Sequence, residues 1–142
     1  MDFKKASALM LPELEAEIFN HVKNSVPAKF PGVQEMMLYH LGFEGERIAA
    51  SAKGKRVRPL LVLLATALFN EDWRIALPAA SAVELLHNFS LIHDDIEDDS
   101  DIRRGRETVW KIWGVPQAIN TGDAMFTLAQ ISLLSLKRPV PA

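Results

Sequence analysis

A largely apolar stretch from Ala79 to Ile92 runs directly into Asp94–Asp101, where six of eight residues are acids; Arg103, Arg104 and Arg106 follow at once. A run of that kind belongs to a buried helix, so the chain is committed to building a core around it. The acids at its end are badly placed for a bare helix. With Asp94 at zero on a 100° wheel, His87 falls at about +20°, Ser90 at about −40°, Asp98 at about +40° and Asp95 at about +100°. His87, Ser90, Asp94 and Asp98 therefore share one stripe. Like charges one turn apart cost a helix about 0.2–0.5 kcal/mol, and the negative end of the macrodipole adds to the penalty.

Divalent cations between these carboxylates and a phosphate reverse the sign of that penalty. Mg²⁺ takes few protein carboxylates, keeps several waters and completes its shell with phosphate oxygens, which suits Asp94 and Asp98. A calcium loop and a solvated acidic loop are the other readings. Asp99 stands at the sixth position from Asp94, where a calcium loop needs glycine. The apolar run leading into the acids speaks against a solvated loop.

A second charged segment precedes the run. Lys53, Lys55, Arg56 and Arg58 crowd a loop around Gly54, and Pro59 is suited to the first turn of a helix that continues through Leu60–Phe69. That helix is apolar all round and is expected to be buried. Backbone amides, the helix dipole and guanidinium forks make the loop a candidate anion site, with a solvated basic loop as the alternative.

The rest of the chain reads as helices. Leu11, Leu14, Ile18 and Val22 recur at helical spacing, with Pro12 in the expected first turn and a stop at Asn24–Pro27. Val33, Met36, Met37 and Leu41 predict a second helix ending near Gly42. His21 and His40 read as surface or packing residues. Asp72 is a possible cap, and Pro78 opens the long helix carrying Ala79–Asp98. Thr108–Trp113 is a short amphipathic piece whose tryptophans read as packing, and Gln117–Leu136 is a last helix with a tightly packed Gly122. Lys137–Ala142 ends the chain. About five helices and no alternating run predict an all-α fold in a single unit spanning 1–142.

Apolar residues make up 49% and charged residues 24%, a globular composition; the net charge of −2 gives no case for nucleic acid. No cysteine is present, which removes disulfides and thiolate metal sites and fits a cytoplasmic setting. No stretch reads as a signal peptide or a transmembrane segment.

Leu91-Ile92-His93-Asp94-Asp95-Ile96-Glu97-Asp98, followed by Arg103-Arg104-Gly105, resembles the first aspartate-rich motif (DDxxD…RRG) of the trans-polyprenyl diphosphate synthases. Gly54-Lys55-Arg56-Val57-Arg58-Pro59 is similar to their GGKRxRP segment, with Lys53 in place of the first glycine. The resemblance implies an antiparallel helix bundle of the isoprenoid synthase type, covered only in its first half. The family's second aspartate-rich motif has no counterpart, since outside the cluster the aspartates are Asp2, Asp72 and Asp123.

It further implies a Mg²⁺-dependent condensation of an allylic prenyl diphosphate with isopentenyl diphosphate. Asp94 and Asp98 would hold the metal, with Asp95 supporting this catalytic set. Arg103 would hold the allylic diphosphate, and Lys55, Arg58, His87 and Arg104 the isopentenyl diphosphate; on composition alone His87 could equally be a packed core residue. Phe89 and Ser90 would govern chain length, the small Ser90 leaving room for a growing tail and Phe89 narrowing the cavity, which hints at a short product, C15 to C20. A dimer, or a partner supplying the C-terminal half, is expected from the apolar faces of a half-bundle. The alternative function is a non-catalytic prenyl-diphosphate-binding or regulatory subunit.

Overall fold

The computed structural model describes residues 2–27, 30–44 and 50–136. Among them are six α-helices: α1 (Phe3–Ser25), α2 (Pro31–His40), α3 (Val57–Ala67), α4 (Leu77–Glu97), α5 (Val109–Trp113) and α6 (Val115–Leu134), with 3₁₀ turns at Ala50–Lys53 and Trp73–Ala76. The expected segment Lys137–Ala142 lies outside the described residues. The fold is all-α, as its sequence pattern requires.

The α1 helix begins nine residues before Pro12, capped by Asp2, whose carboxylate accepts from the Lys4 amide, so the proline is inside the helix rather than in its first turn. What overrides the proline is packing. Ala6, Met10, Leu14, Ile18 and Val22 recur every fourth residue and are all fully buried, so the stripe continues unbroken across it. The α2 helix ends as expected. Gly42 has φ +82°, Phe43 N–H bonds Leu38 O at 2.9 Å, and Gly42 N–H bonds Tyr39 O at 3.0 Å, the two bonds of a Schellman cap. A Cβ on Gly42 would lie 2.7 Å from the Ala52 and Lys53 backbone, so this glycine lets the basic loop pass against the end of α2.

The third helix departs from expectation. Pro59, Leu60 and Leu63 are buried, but Leu61 is 57% exposed, and beyond the helix Leu68 is 80% and Phe69 90% exposed. An all-apolar sequence has no polar face to mark which side meets the core, so the open side could not be read from it. Pro78 stands in the first turn of α4, which packs most extensively against α6. Gly122 of α6 is a point of close approach to α4: a Cβ there would run into the His93 ring. Leu85 and Ile92 of α4 and Met125 and Leu128 of α6 fill the adjoining core.

Trp73–Glu97 is long and apolar enough to cross a membrane by length and composition alone, a test that a core helix also passes. Here it forms the centre of the bundle, with Glu84, Asn88 and Asp95 buried against protein partners. A two-stranded hairpin departs from the expectation of helices alone. Strand β1 (Ile102–Arg103) pairs antiparallel with β2 (Arg106–Glu107) around Arg104 and Gly105, both at positive φ, the pattern of a type I′ turn.

Candidate functional site

The acids stay helical. Asp94–Glu97 continue α4 without a break, Asp98 is its C-cap, and Asp99 in the left-handed region closes a Schellman motif through Asp99 N–H to Ile96 O and Ser100 N–H to Asp95 O. A helical backbone through the first acids rules out both a calcium loop and a solvated acidic loop beginning at Asp94. Asp94 and Asp98 are exposed and make no ion pair among the described residues. No cluster of three or more carboxylate or imidazole ligands forms among those residues. Two unpartnered carboxylates fit Mg²⁺, which leaves most of its shell to water and phosphate. Asp95 instead turns inward: it is 2% exposed, and Arg103 grips it through Nη2 at 2.8 Å and Nε at 2.9 and 3.0 Å to the two oxygens. That bidentate pair leaves the Nη1 edge of Arg103 uncommitted.

The four cations of the basic loop divide into two pairs. Lys53 binds Glu15 at 2.6 Å, and Arg56 is withdrawn into the core, where Nη1 meets Glu84 Oε1 at 2.7 Å and Nη2 donates to Leu41 O at 2.8 Å. Lys55 and Arg58 remain exposed. Arg58 Nη1 lies 3.2 Å from His87 Nε2. A guanidinium can only donate, so Nε2 of His87 is the acceptor and its proton resides on Nδ1. Partial burial lowers the His87 pKa, and the Arg58 charge lowers it further, so the ring is neutral near pH 7. The two loop cations named by the sequence reading are thus the two left open, and His87 joins them from α4.

Arg104, at the turn of the hairpin, reaches the same region from the other side. Its Nη1 donates to Ala52 O at 3.3 Å and its Nη2 lies 3.5 Å from Asn88 Oδ1. Gly54 makes room for it, because a Cβ there would stand 2.9 Å from Arg104 Cζ. Burial, then the neighbouring Arg56, pull the Arg104 pKa below the usual arginine value. Arg106 is structural: its guanidinium donates to Tyr39 O and, at 3.1 Å, to Glu44 O, with the Tyr39 ring 4.0 Å away.

Helix α4 therefore carries two polar stripes. The open one holds His87, Ser90, Asp94 and Asp98; the buried one, at about +80 to +120° on the same wheel, holds Glu84, Asn88 and Asp95. Each buried residue meets one arginine: Arg56, Arg104 and Arg103 respectively. The sequence reading overlooked Glu84 and Asn88, although a lone acid within an apolar run is a signal that some cation must reach it. Ser90 Oγ donates to His87 O at 2.7 Å, and Phe89 faces α6, its ring 5.1 Å from Phe126 and 5.6 Å from His93. A cavity of about 370 Å³, lined by Val26, Val33, Met37, Ala124, Leu128 and Ile131 among others, lies elsewhere and has no charged side chain in its lining among the described residues.

Solved structures share this architecture. A geranyltransferase from Legionella pneumophila matches with TM-score 0.81 and 34% identity, over 99% of this chain and 47% of its own. A geranylgeranyl pyrophosphate synthetase from Pyrococcus horikoshii matches with TM-score 0.79 and 36% identity, over 96% and 38%. The fold is that of the all-α isoprenoid synthases. The Polyprenyl synthetase family model matches residues 46–141, and the chain belongs to that family. Among curated relatives, a (2E,6E)-farnesyl diphosphate synthase of Mycobacterium tuberculosis is 43% identical over 111 residues, 77% of this chain and 31% of the relative. A geranylgeranyl diphosphate synthase of Methanosarcina mazei is 42% identical over 124 residues, 85% of this chain and 37% of the relative. The chain spans about a third of the length of these relatives.

Proposed function

We propose that this chain supplies the first aspartate-rich wall and the isopentenyl-diphosphate pocket of a trans-prenyltransferase, which joins an allylic prenyl diphosphate to isopentenyl diphosphate in the cytoplasm. The observation that carries the reading is the sorting of charge in and around the basic loop. Lys53 and Arg56 are paired, while Lys55 and Arg58 stay open beside His87, on the same face of α4 as the unpartnered Asp94 and Asp98. One helix thus offers an acidic end suited to a metal-bound diphosphate and a cationic middle suited to a metal-free one.

In this reading Asp94 and Asp98 hold Mg²⁺, which supplies Lewis-acid neutralisation of the departing diphosphate. Arg103, held rigid by Asp95, presents its free Nη1 edge to the allylic diphosphate. Lys55, Arg58, His87 and Arg104 fix the second diphosphate, so that the double bond behind it faces the carbon losing its C–O bond. A new C–C bond forms, diphosphate leaves, and loss of a proton restores a double bond. The small Ser90, on the stripe one turn before Asp94, leaves room for the growing tail, and Phe89 against Phe126 narrows it toward a short product. The helical unit seen here works with a second metal-binding wall outside it, supplied by a second copy or by a C-terminal half.

The test is calorimetric titration of the chain with a thio-analogue of farnesyl diphosphate, with and without Mg²⁺. Binding that needs Mg²⁺ and disappears in Asp94→Ala, Asp98→Ala supports the reading. Binding of equal strength without metal or without these carboxylates would overturn it.

A further inference from the structure

On the buried stripe of α4, Glu84 and Asp95 answer their arginines with full negative charge, whereas Arg104 meets a neutral amide. Asn88 has no exposed surface, and its Nδ2 lies 2.9 Å from Glu84 Oε1 and 2.8 Å from Glu84 O. Both of those oxygens are acceptors, Glu84 Oε1 already receiving Arg56 Nη1, so the amino group must face Glu84. The Asn88 carbonyl is thereby forced to point the other way, toward Arg104 Nη2 at 3.5 Å. Ala52 O at 3.3 Å and the bare Cα of Gly54 line two further sides of the same guanidinium, which stays partly exposed.

We propose that Asn88 is a positioning residue for Arg104, its amide relaying the orientation fixed by Glu84 outward to the guanidinium while leaving the positive charge uncancelled. A carboxylate at this position would pair with Arg104 as Glu84 does with Arg56 and would compete with an incoming anion. An amide orients without neutralising. A buried amide whose two ends are both committed also cannot flip without stranding a donor, so the setting is rigid. The inference deepens the proposed function, because it rests on Arg104 contacting isopentenyl diphosphate.

The experiment is titration of the chain with isopentenyl diphosphate in metal-free buffer, for the unsubstituted protein, Arg104→Gln, Asn88→Leu and the double variant. Thermal unfolding of each checks that the fold persists. Asn88→Ser, whose hydroxyl can still bond Glu84 O but cannot reach Arg104, replaces Asn88→Leu if that variant does not fold. Loss of one charged hydrogen bond weakens binding roughly tenfold or more, so Arg104→Gln should fall in that range. Asn88→Leu should weaken binding by at least about threefold on the same scale, and the double variant should bind no more weakly than Arg104→Gln alone. A merely structural role for Asn88 would move the unfolding temperature without this non-additivity. Folded Asn88 variants that bind as tightly as the unsubstituted chain, or effects that simply add, would overturn the inference alone. An Arg104→Gln variant of unchanged affinity would instead overturn the diphosphate role of Arg104, and the inference with it.

Discussion

His40 offers the sharpest test of how the site is supported. The ring is buried at the end of α2, and burial first, then Arg104 and Arg103, lower its pKa from 6.5 to about 3. It therefore stays neutral in the fold at pH values where the unfolded chain protonates it. Between those two values the unfolded state binds more protons, so stability rises with pH through this window and is lost as the pH falls below about 6.5. Each unit is worth about 1.4 kcal/mol; at pH 5, one and a half units below the unfolded value, His40 alone costs about 2 kcal/mol. Replacing it by Leu, close in volume, also removes a ring nitrogen that lacks a hydrogen-bond partner. Urea unfolding followed by circular dichroism at pH 7.5 and pH 5.0 measures the difference. The unsubstituted chain should lose about 2 kcal/mol more than His40→Leu over this interval, at one protein concentration. Equal losses in the two proteins would refute the claim that a neutral imidazole lies under the hairpin arginines.

Other predictions separate cations that look alike in sequence. Arg56→Ala strands Glu84 in the core and should destabilise the chain by about 3–5 kcal/mol in denaturant titrations. Arg58→Ala should change stability by less than about 0.5 kcal/mol while weakening isopentenyl diphosphate binding in calorimetry. Gly122→Ala drives a methyl group into His93 and should cost about 1–3 kcal/mol, read from the urea midpoint; an unchanged midpoint would deny the close approach of α4 and α6. Gly54→Ala combines a left-handed φ of +74° with displacement of Arg104, so it should lose about 1–2 kcal/mol of stability and also bind isopentenyl diphosphate less tightly.

How far the sequence speaks depends on the range of the interaction. The open stripe of α4, the cap at Gly42 and the packed Gly122 follow from periodicity and local chemistry, and each has its structural counterpart. The difference between Arg56 and Arg58 does not, because it is made by Glu84, 28 residues away from Arg56. Pro12 misleads for a related reason: the continuing stripe through Ala6 and Met10 uses small and flexible residues that signal weakly. Two-residue strands are too short to alternate, so the hairpin that carries Arg104 is invisible to pattern reading. Asp95 reads as a support for the metal site, off the stripe of Asp94 and Asp98, and only its burial and its grip on Arg103 show what that support consists of.

The most direct measurement is chemical-shift mapping of the isotopically labelled chain, first with isopentenyl diphosphate alone and then with a farnesyl thio-diphosphate and Mg²⁺. If the proposed site is right, the first ligand moves Lys55, Arg58, His87 and Arg104 and leaves the paired Lys53 and Arg56 unmoved. The second should then move Asp94 and Asp98 only when Mg²⁺ is present. Shifts confined to the apolar cavity around Val33 and Leu128, or shifts at Asp94 and Asp98 that do not need the metal, would contradict it.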